Sequence, residues 1–260
     1  MSQRGEVRAL VEAVVANIEA GRAVDKPFFH LQFDQFFPAD VYAEMMSAMP
    51  SAADYRAEPG HNKGNLLPDG RATRVKIDLF PEYVRNLTES KRRVWDMVGR
   101  ALCASEVQAV FARRLQPGLK RRFGDGYADV GMYPTPILTR DIPGYRINPH
   151  VDSRWKGMTV QLYLPPDDKA THIGTIFHDR LADGSLTKAT QMRFAPNTGY
   201  AFAVGEDSWH SADPVGPEVE TRDSILLIYY LDAGLLQVMR NRGRRVGNLL
   251  MSEVKHLVRR

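Results

Sequence analysis

The sequence predicts a mainly β fold with flanking helices. Its second half is a succession of short β-type runs between turn residues, and its first half carries apolar residues at helical spacing. The β-type runs lie at 132–139, 145–151, 158–164, 173–178, 190–194, 200–204 and 224–231. Strands this short and this closely spaced argue for an antiparallel sandwich or barrel, because hairpin-length connections leave no room for parallel crossovers.

The elements follow in order. Val7, Leu10, Val11, Val14, Val15 and Ile18 form one stripe of a first helix, with Ser2 or Gln3 ahead of it and Gly21 as an expected left-handed stop. A second short helix follows Pro38 through Val41, Met45 and Met49, and Pro50 ends it. Arg74-Val75-Lys76-Ile77-Asp78-Leu79 alternates as a half-buried strand does. Residues 88–104 read as a helix from Val94, Trp95, Val98, Ala101 and Leu102. Ser105 with Gln108 then has the capping-box pattern that opens another helix through Leu115. The last segment, 233–260, is basic and compatible with a helix.

Composition bounds the function. At 260 residues, with 43% apolar residues and neither a linker nor a repeat, the chain is expected to be one domain: 1–126 mainly helical, 127–232 a β core, 233–260 a basic tail. No apolar stretch has membrane-spanning length, and Met1-Ser2-Gln3-Arg4-Gly5-Glu6 lacks the apolar core of a secretory signal, so a soluble, cytoplasmic protein is expected. A single cysteine, Cys103, excludes an intrachain disulfide and a Cys-based zinc site, and its setting suits a small buried hydrophobe. The net charge of +4 is concentrated in Arg113, Arg114, Lys120, Arg121 and Arg122 and again in Arg240, Arg242, Arg244 and Arg245. Without an aromatic platform or a nucleic-acid motif, these read as solvated faces rather than a phosphate-binding surface.

The chemistry is concentrated in Pro149-His150-Val151-Asp152 and Trp209-His210-Ser211. Side chains two apart on a strand share a face, so His150 and Asp152 can bind one metal ion from a single strand end, with His210 arriving from a neighbouring strand. Two imidazoles and one carboxylate leave open coordination positions, the facial arrangement of non-haem Fe(II) oxygenases. Further on, Arg222 stands directly ahead of the apolar run Ile225-Leu226-Leu227-Ile228. A guanidinium at the mouth of a buried strand calls for an anion, and its planar fork suits a carboxylate. Ser224, two residues on, faces the same side. His172, His178, His30, His61 and His256 have no partner at ligand spacing, and His178-Asp179 would point to opposite faces. Trp155 and Trp209 flank two of the candidate ligands and can line a pocket or wedge the core.

This pattern of H-x-D, a distal histidine and then R-x-S resembles the Fe(II)/2-oxoglutarate-dependent dioxygenases, and locally their prolyl-hydroxylase-type members. Met158-Thr159-Val160-Gln161-Leu162-Tyr163 is similar to the strand that carries their inward tyrosine, and Met132-Tyr133-Pro134 to their Tyr-Pro strand. The resemblance implies a double-stranded β-helix (jelly roll) core braced by N-terminal helices, with Fe(II) held by His150, Asp152 and His210. It further implies 2-oxoglutarate held by Arg222, Ser224 and Tyr163, with Tyr133 as a further cosubstrate residue, and O2 as the oxidant. The implied reaction is hydroxylation of an unactivated C–H bond with release of succinate and CO2, with desaturation, cyclisation and demethylation as alternatives that the same ligands serve. Because Asp152 is present, a halide has no vacant ligand position to take. An amino acid or a metabolite of similar size is the expected substrate, and Arg140, Arg146, Arg154 and Lys156 suggest an anionic one. A protein or peptide side chain is the alternative within the family. A cupin-like metal-binding barrel that needs no 2-oxoglutarate, and so no Arg222, stands outside it, as does a non-catalytic module binding polyanions through its basic surface.

Overall fold

The structure, a computed structural model, describes residues 2–57 and 65–232. The basic C-terminal helix expected over 233–260, with Arg240, Arg242, Arg244 and Arg245, lies outside the described residues, as do His61 and His256.

The described helices are α1 (Gln3–Ala20), α2 (Ala39–Ser47), α3 (Pro81–Val84), α4 (Glu89–Leu102), α5 (Ser105–Arg114) and α6 (Gln116–Phe123). Ser2 caps α1 by accepting the Gly5 N–H, and Leu10, Val11, Val14 and Ile18 are its buried stripe. Gly21 is not a left-handed stop: its φ is −55° and its ψ 138°, so the backbone leaves the helix directly into an extended segment. The helix after Pro38 ends at Ser47, short of Met49 and Pro50. Ala104, not Ser105, is the N-cap of α5. Ser105 is already helical and its hydroxyl bonds the Glu106 carboxylate, so the expected capping box does not form. Gly99 lets α4 approach the sheet: a Cβ there would lie 2.1 Å from the Leu79 carbonyl oxygen.

The strands are β1 (Arg22–Val24), β2 (His30–Phe33), β3 (Arg56–Ala57), β4 (Arg74–Asp78), β5 (Met132–Asp141), β6 (Ile147–His150), β7 (Lys156–Tyr163), β8 (Ile176–Arg180), β9 (Leu186–Gln191), β10 (Gly199–Ala203), β11 (His210–Ala212) and β12 (Arg222–Leu231). They form an eight-stranded sheet, β1-β2-β10-β7-β12-β5-β4-β3, and a four-stranded sheet, β6-β11-β8-β9, in which every named pair is antiparallel. Two expected strands shift. The run at 173–178 begins as a single 3-10 turn at Thr171–Ile173, and the strand starts only at Ile176. The run at 190–194 lies mostly beyond β9, whose exposed face offered no apolar pattern to read.

Alternation assigns the two faces of the large sheet. Met158, Val160 and Leu162 of β7 and Ile225, Leu227 and Tyr229 of β12 pack under Trp95, Val98, Phe111 and Leu115 of the helices. The opposite face meets the small sheet through a second apolar cluster that includes Tyr163, Phe177, Phe194, Tyr200 and Phe202. Burial of these side chains at roughly 25 cal/mol per Å² drives both layers together. The basic run of α5 and α6 is engaged locally: Arg113 with Glu19, Arg121 with Asp207, and Arg122 donating to the carbonyls of Lys156 and Val204. No described helix is long and apolar enough to cross a membrane.

Asn197 ties the N-terminal segment to the core. At φ 60° its side chain accepts from the Phe37 N–H and donates to the Phe37 carbonyl, both at 2.8 Å. Asn197→Ala removes both bonds and places a less tolerant residue in the left-handed region, so a loss of about 3 kcal/mol is expected. Asn197→Gly relieves only the backbone and should lose less. Equal melting temperatures for the two variants would show that the backbone conformation is not under strain.

Candidate metal centre

His150 and His210 are direct partners across the β6–β11 ladder, and Asp152 follows two residues past the end of β6. One ligand atom from each of the three lies within 4.8 Å of the others, a separation that suits a single metal ion. The imidazole rings are 4.3 Å apart between centroids.

Each histidine is oriented by a backbone carbonyl. Nδ1 of His150 lies 2.9 Å from the Asn148 oxygen and Nδ1 of His210 lies 2.9 Å from the Ser208 oxygen. A carbonyl only accepts, so in the neutral ring Nδ1 carries the proton and Nε2 presents its lone pair. Burial pushes His210 down from its ordinary range to about 4, so at neutral pH no proton has to leave it before a metal binds. The Asp152 carboxyl is raised by burial, yet the Lys156 ammonium and His210 outweigh that and hold it below its usual range, ionised. Lys156 Nζ bonds one of its oxygens and Thr159 Oγ1 the other, at 2.7 Å. Lys156 reaches this side because a bulge skips Gly157: Tyr229 pairs with Met158 but Tyr230 with Lys156, which turns residue 156 onto the face of Thr159.

From this cluster a cavity of about 290 Å³ runs across the polar face of the large sheet. At one end stands a triplet of which Asp141 and Arg222 are buried and Arg74 partly exposed. Arg74 of β4 grips both oxygens of Asp141 (2.6 and 2.9 Å). Arg222 gives two N–H bonds to the same carboxylate (3.1 and 3.0 Å) and one to the Ile173 carbonyl (2.9 Å). Asp141 is 0% and Arg222 4% exposed, and the Tyr145 ring lies 4.1 Å from the Arg74 guanidinium and 5.2 Å from that of Arg222. Burial raises the Asp141 carboxyl, but Arg74 and Arg222 outweigh this and keep it ionised. Two guanidiniums against one carboxylate leave a positive end to the cavity.

The other residues singled out from the sequence are spread along the sheet, and few of them meet this wall. Ser224 is fully buried and bonds the Thr139 hydroxyl (2.9 Å) and the Gln161 amide (3.1 Å). The Tyr163 phenol donates to Thr175 Oγ1 and accepts from the Thr175 N–H, and Thr175 and Tyr200, not Tyr163, line the cavity. Tyr133 stacks on Tyr230 at 5.7 Å, and only Tyr230 reaches the lining. Arg140 is paired with Asp223, Arg146 is exposed and Arg154 lies over Trp155, so of the four cations expected at the mouth only Lys156 reaches the cavity. Trp155 is exposed, and neither it nor Trp209 is in the lining. His30 is a satisfied core residue, and His178 bonds Ser211. Arg74, Asp141, Gln161, Thr175 and Tyr200 were missed. The alternation of Thr159 and Gln161 with Tyr163 could have found Gln161, whereas no local signal joins Arg74 or Asp141 to Arg222.

No family model and no curated protein matches the sequence. Among solved structures, a prolyl hydroxylase from Trichoplax adhaerens, in complex with a hypoxia inducible factor oxygen degradation domain peptide fragment, is similar over 87% of this chain and 91% of that one, with TM-score 0.51 and 11% identity. The shared fold is that of a prolyl hydroxylase. A prolyl-4-hydroxylase from Pseudomonas putida (TM-score 0.46, 16% identity, 86% of this chain and 100% of that one) and a 2OG-Fe(II) oxygenase family oxidoreductase from Burkholderia pseudomallei (TM-score 0.46, 13% identity, 85% and 89%) are also similar. Two apposed antiparallel sheets with helices banked on the larger one form the jelly-roll core expected from the sequence.

Asp141→Asn removes the buried carboxylate that Arg74 and Arg222 both grip and should cost about 3–5 kcal/mol in a denaturant titration. The native carboxyl titrates below its unfolded value of about 4, so its contribution is present above that pH and is lost as the pH falls through the native value. The wild-type protein should therefore lose stability more steeply than Asp141→Asn below about pH 4. Parallel curves would remove the carboxylate from the account.

Proposed function

We propose that this chain is an Fe(II)- and 2-oxoglutarate-dependent dioxygenase that hydroxylates an unactivated C–H bond of a small molecule. The observation that carries this reading is the pairing, within one cavity, of a three-residue cluster suited to a single ion and a buried end with surplus positive charge. The donor set fits the metal: two imidazole Nε2 atoms and one ionised carboxylate on one side leave room for further ligands. The arginine end fits a keto acid, because a carboxylate entering there offsets the charge that Asp141 leaves unbalanced.

His150, Asp152 and His210 would hold the iron. Arg222 would take the distal carboxylate of 2-oxoglutarate, with Arg74 adding charge, and Ser224 and Tyr163 would support that wall; Tyr133, paired with Tyr230 at the other end of the β12–β5 ladder, lies too far along the sheet to join them. When bound, iron and 2-oxoglutarate supply with O2 the oxidising power to convert C–H to C–OH while 2-oxoglutarate becomes succinate and CO2. The protein's part is placement. Asn148 and Ser208 carbonyls hold the imidazoles in one tautomer, Thr159 and Lys156 fix the Asp152 carboxylate, and the Tyr200–Thr175–Gln161 hydrogen bonds keep the cavity floor rigid. Residues 1–260 are taken as one oxygenase domain.

A peptide substrate is the second reading, favoured by the peptide bound to the Trichoplax adhaerens prolyl hydroxylase. The cavity volume of about 290 Å³, at the lower end for ligand sites, favours the small molecule.

Anaerobic addition of Fe(II) and then 2-oxoglutarate should produce a visible charge-transfer absorption. Arg222→Ala should weaken 2-oxoglutarate binding by roughly 10- to 100-fold, the scale of a charge-assisted bond pair, with metal affinity retained. His210→Ala should lose the metal itself. Unchanged 2-oxoglutarate affinity in Arg222→Ala would falsify the assignment of the keto-acid slot.

A further inference from the structure

The stretch of the cavity that begins beside Arg74 on β4 and runs away from it has its own chemistry, which the cluster and the arginines do not use. Strand register places it. Arg222 pairs with Asp141 at one end of the β12–β5 ladder, whereas Ile228 pairs with Thr135 and, across β7, with Thr159, the residue that holds Asp152. On the far wall, β4 sets Asp78 opposite Ile137 and Lys76 opposite Thr139. Apart from Asp141, which lies behind Arg74 and Arg222, these side chains line the cavity.

Three features of this end point to a ligand. Lys76 Nζ and Asp78 Oδ1 lie 3.6 Å apart, with side chains 20% and 23% exposed, so one wall presents a positive and a negative group side by side. Thr135 Oγ1 is buried and, among the described residues, has no hydrogen-bond partner, although its side chain is in the lining. A polar atom so placed calls for one on the occupant. Between these groups and the metal cluster the floor is Leu226 and Ile228, aliphatic and fixed by their ladders to β5 and β7.

From these observations we propose that this end of the cavity is a subsite for a free α-amino acid with an aliphatic side chain. Its ammonium and carboxylate lie across Asp78 and Lys76, and its aliphatic portion lies over Leu226 and Ile228 towards His150, Asp152 and His210. This rests on the oxygenase reading for the reaction, though not for the binding. A wall bearing both signs of charge rejects a simple anion through Asp78 and a simple cation through Lys76, and it accepts a molecule that carries both. A residue inside a polypeptide has neither charge on its backbone, so the same wall discriminates against peptides. The strands β4 and β7 are three strand spacings apart, about 14 Å, so the Lys76–Asp78 pair and the metal cluster stand on opposite sides of the cavity. In the reaction one atom of O2 enters an aliphatic C–H bond of the amino acid as hydroxyl, the other enters succinate, and CO2 leaves 2-oxoglutarate.

The test is calorimetric titration of the full-length, metal-free protein with L-valine, L-leucine, L-isoleucine and L-proline, and with the N-acetyl and amide forms of whichever binds tightest. At least one free amino acid should bind, with both blocked forms weaker by about tenfold or more, the scale of one lost charge-assisted bond. Asp78→Asn should remove the penalty for N-acetylation and leave that for the amide; Lys76→Gln should do the reverse. Thr135→Val should weaken every form. If no free amino acid on the panel binds, if the blocked forms bind as well as the free one, or if a peptide containing the residue is preferred, the subsite is overturned. An iron and 2-oxoglutarate titration run beside it reports on the oxygenase reading separately, since the metal-free titration reads the subsite whatever that control shows.

Discussion

Strand alternation on the central sheet is the constraint from which the site follows. Ile225, Leu227 and Tyr229 are held under the helices, so Arg222, Ser224, Leu226 and Ile228 have no choice but the opposite face. A slip of one residue in β12 would put a guanidinium into the helical core and take Ile225, Leu227 and Tyr229 out of it. The loss of apolar burial on both layers at once forbids it. Helix packing, far from the metal cluster, therefore decides which side chains the cavity receives.

On that face the charges are graded. Arg74, Asp141 and Arg222 make one end positive, Asp152 beside the two imidazoles is paired with Lys156, and Lys76 with Asp78 make the remaining wall a dipole. Because these side chains are largely buried, their charges are screened less than on an open surface. Each region thus favours a different partner, and a molecule offered to the wrong region meets an unbalanced charge. The bulge at Gly157 is a small part of this design with a large effect, because without it Lys156 would point into the helices and Asp152 would lack its nearest cation.

The candidate site was partly legible before any fold was known. His150 and Asp152 could be paired because a strand's period is two, and Arg222 stood out because a charged fork at the mouth of an apolar run is costly unless matched. Gln161 shared that legibility through its spacing from Tyr163. Arg74 did not, since it sits in a strand whose alternation looked like an ordinary half-buried edge. The same limits applied to the fold. The first helix and β12 announced themselves by strong apolar periodicity. The strands β1 and β9 are short or exposed, and α6 follows α5 across a junction that carries no distinctive stop.

What the sequence settles by itself is local: which residues can share a face, which segments are helices, and that two imidazoles, a carboxylate and a guanidinium occur in a suggestive order. Tertiary structure alone decided that Asp141 would clasp Arg222, that Tyr200 and Thr175 would stand in front of Tyr163, and that Lys76, Asp78 and Thr135 would face the metal cluster across the sheet. The reason is physical. Period and propensity act over a few residues, whereas these contacts join strands brought together only when two sheets and a helical layer bury their apolar faces at once.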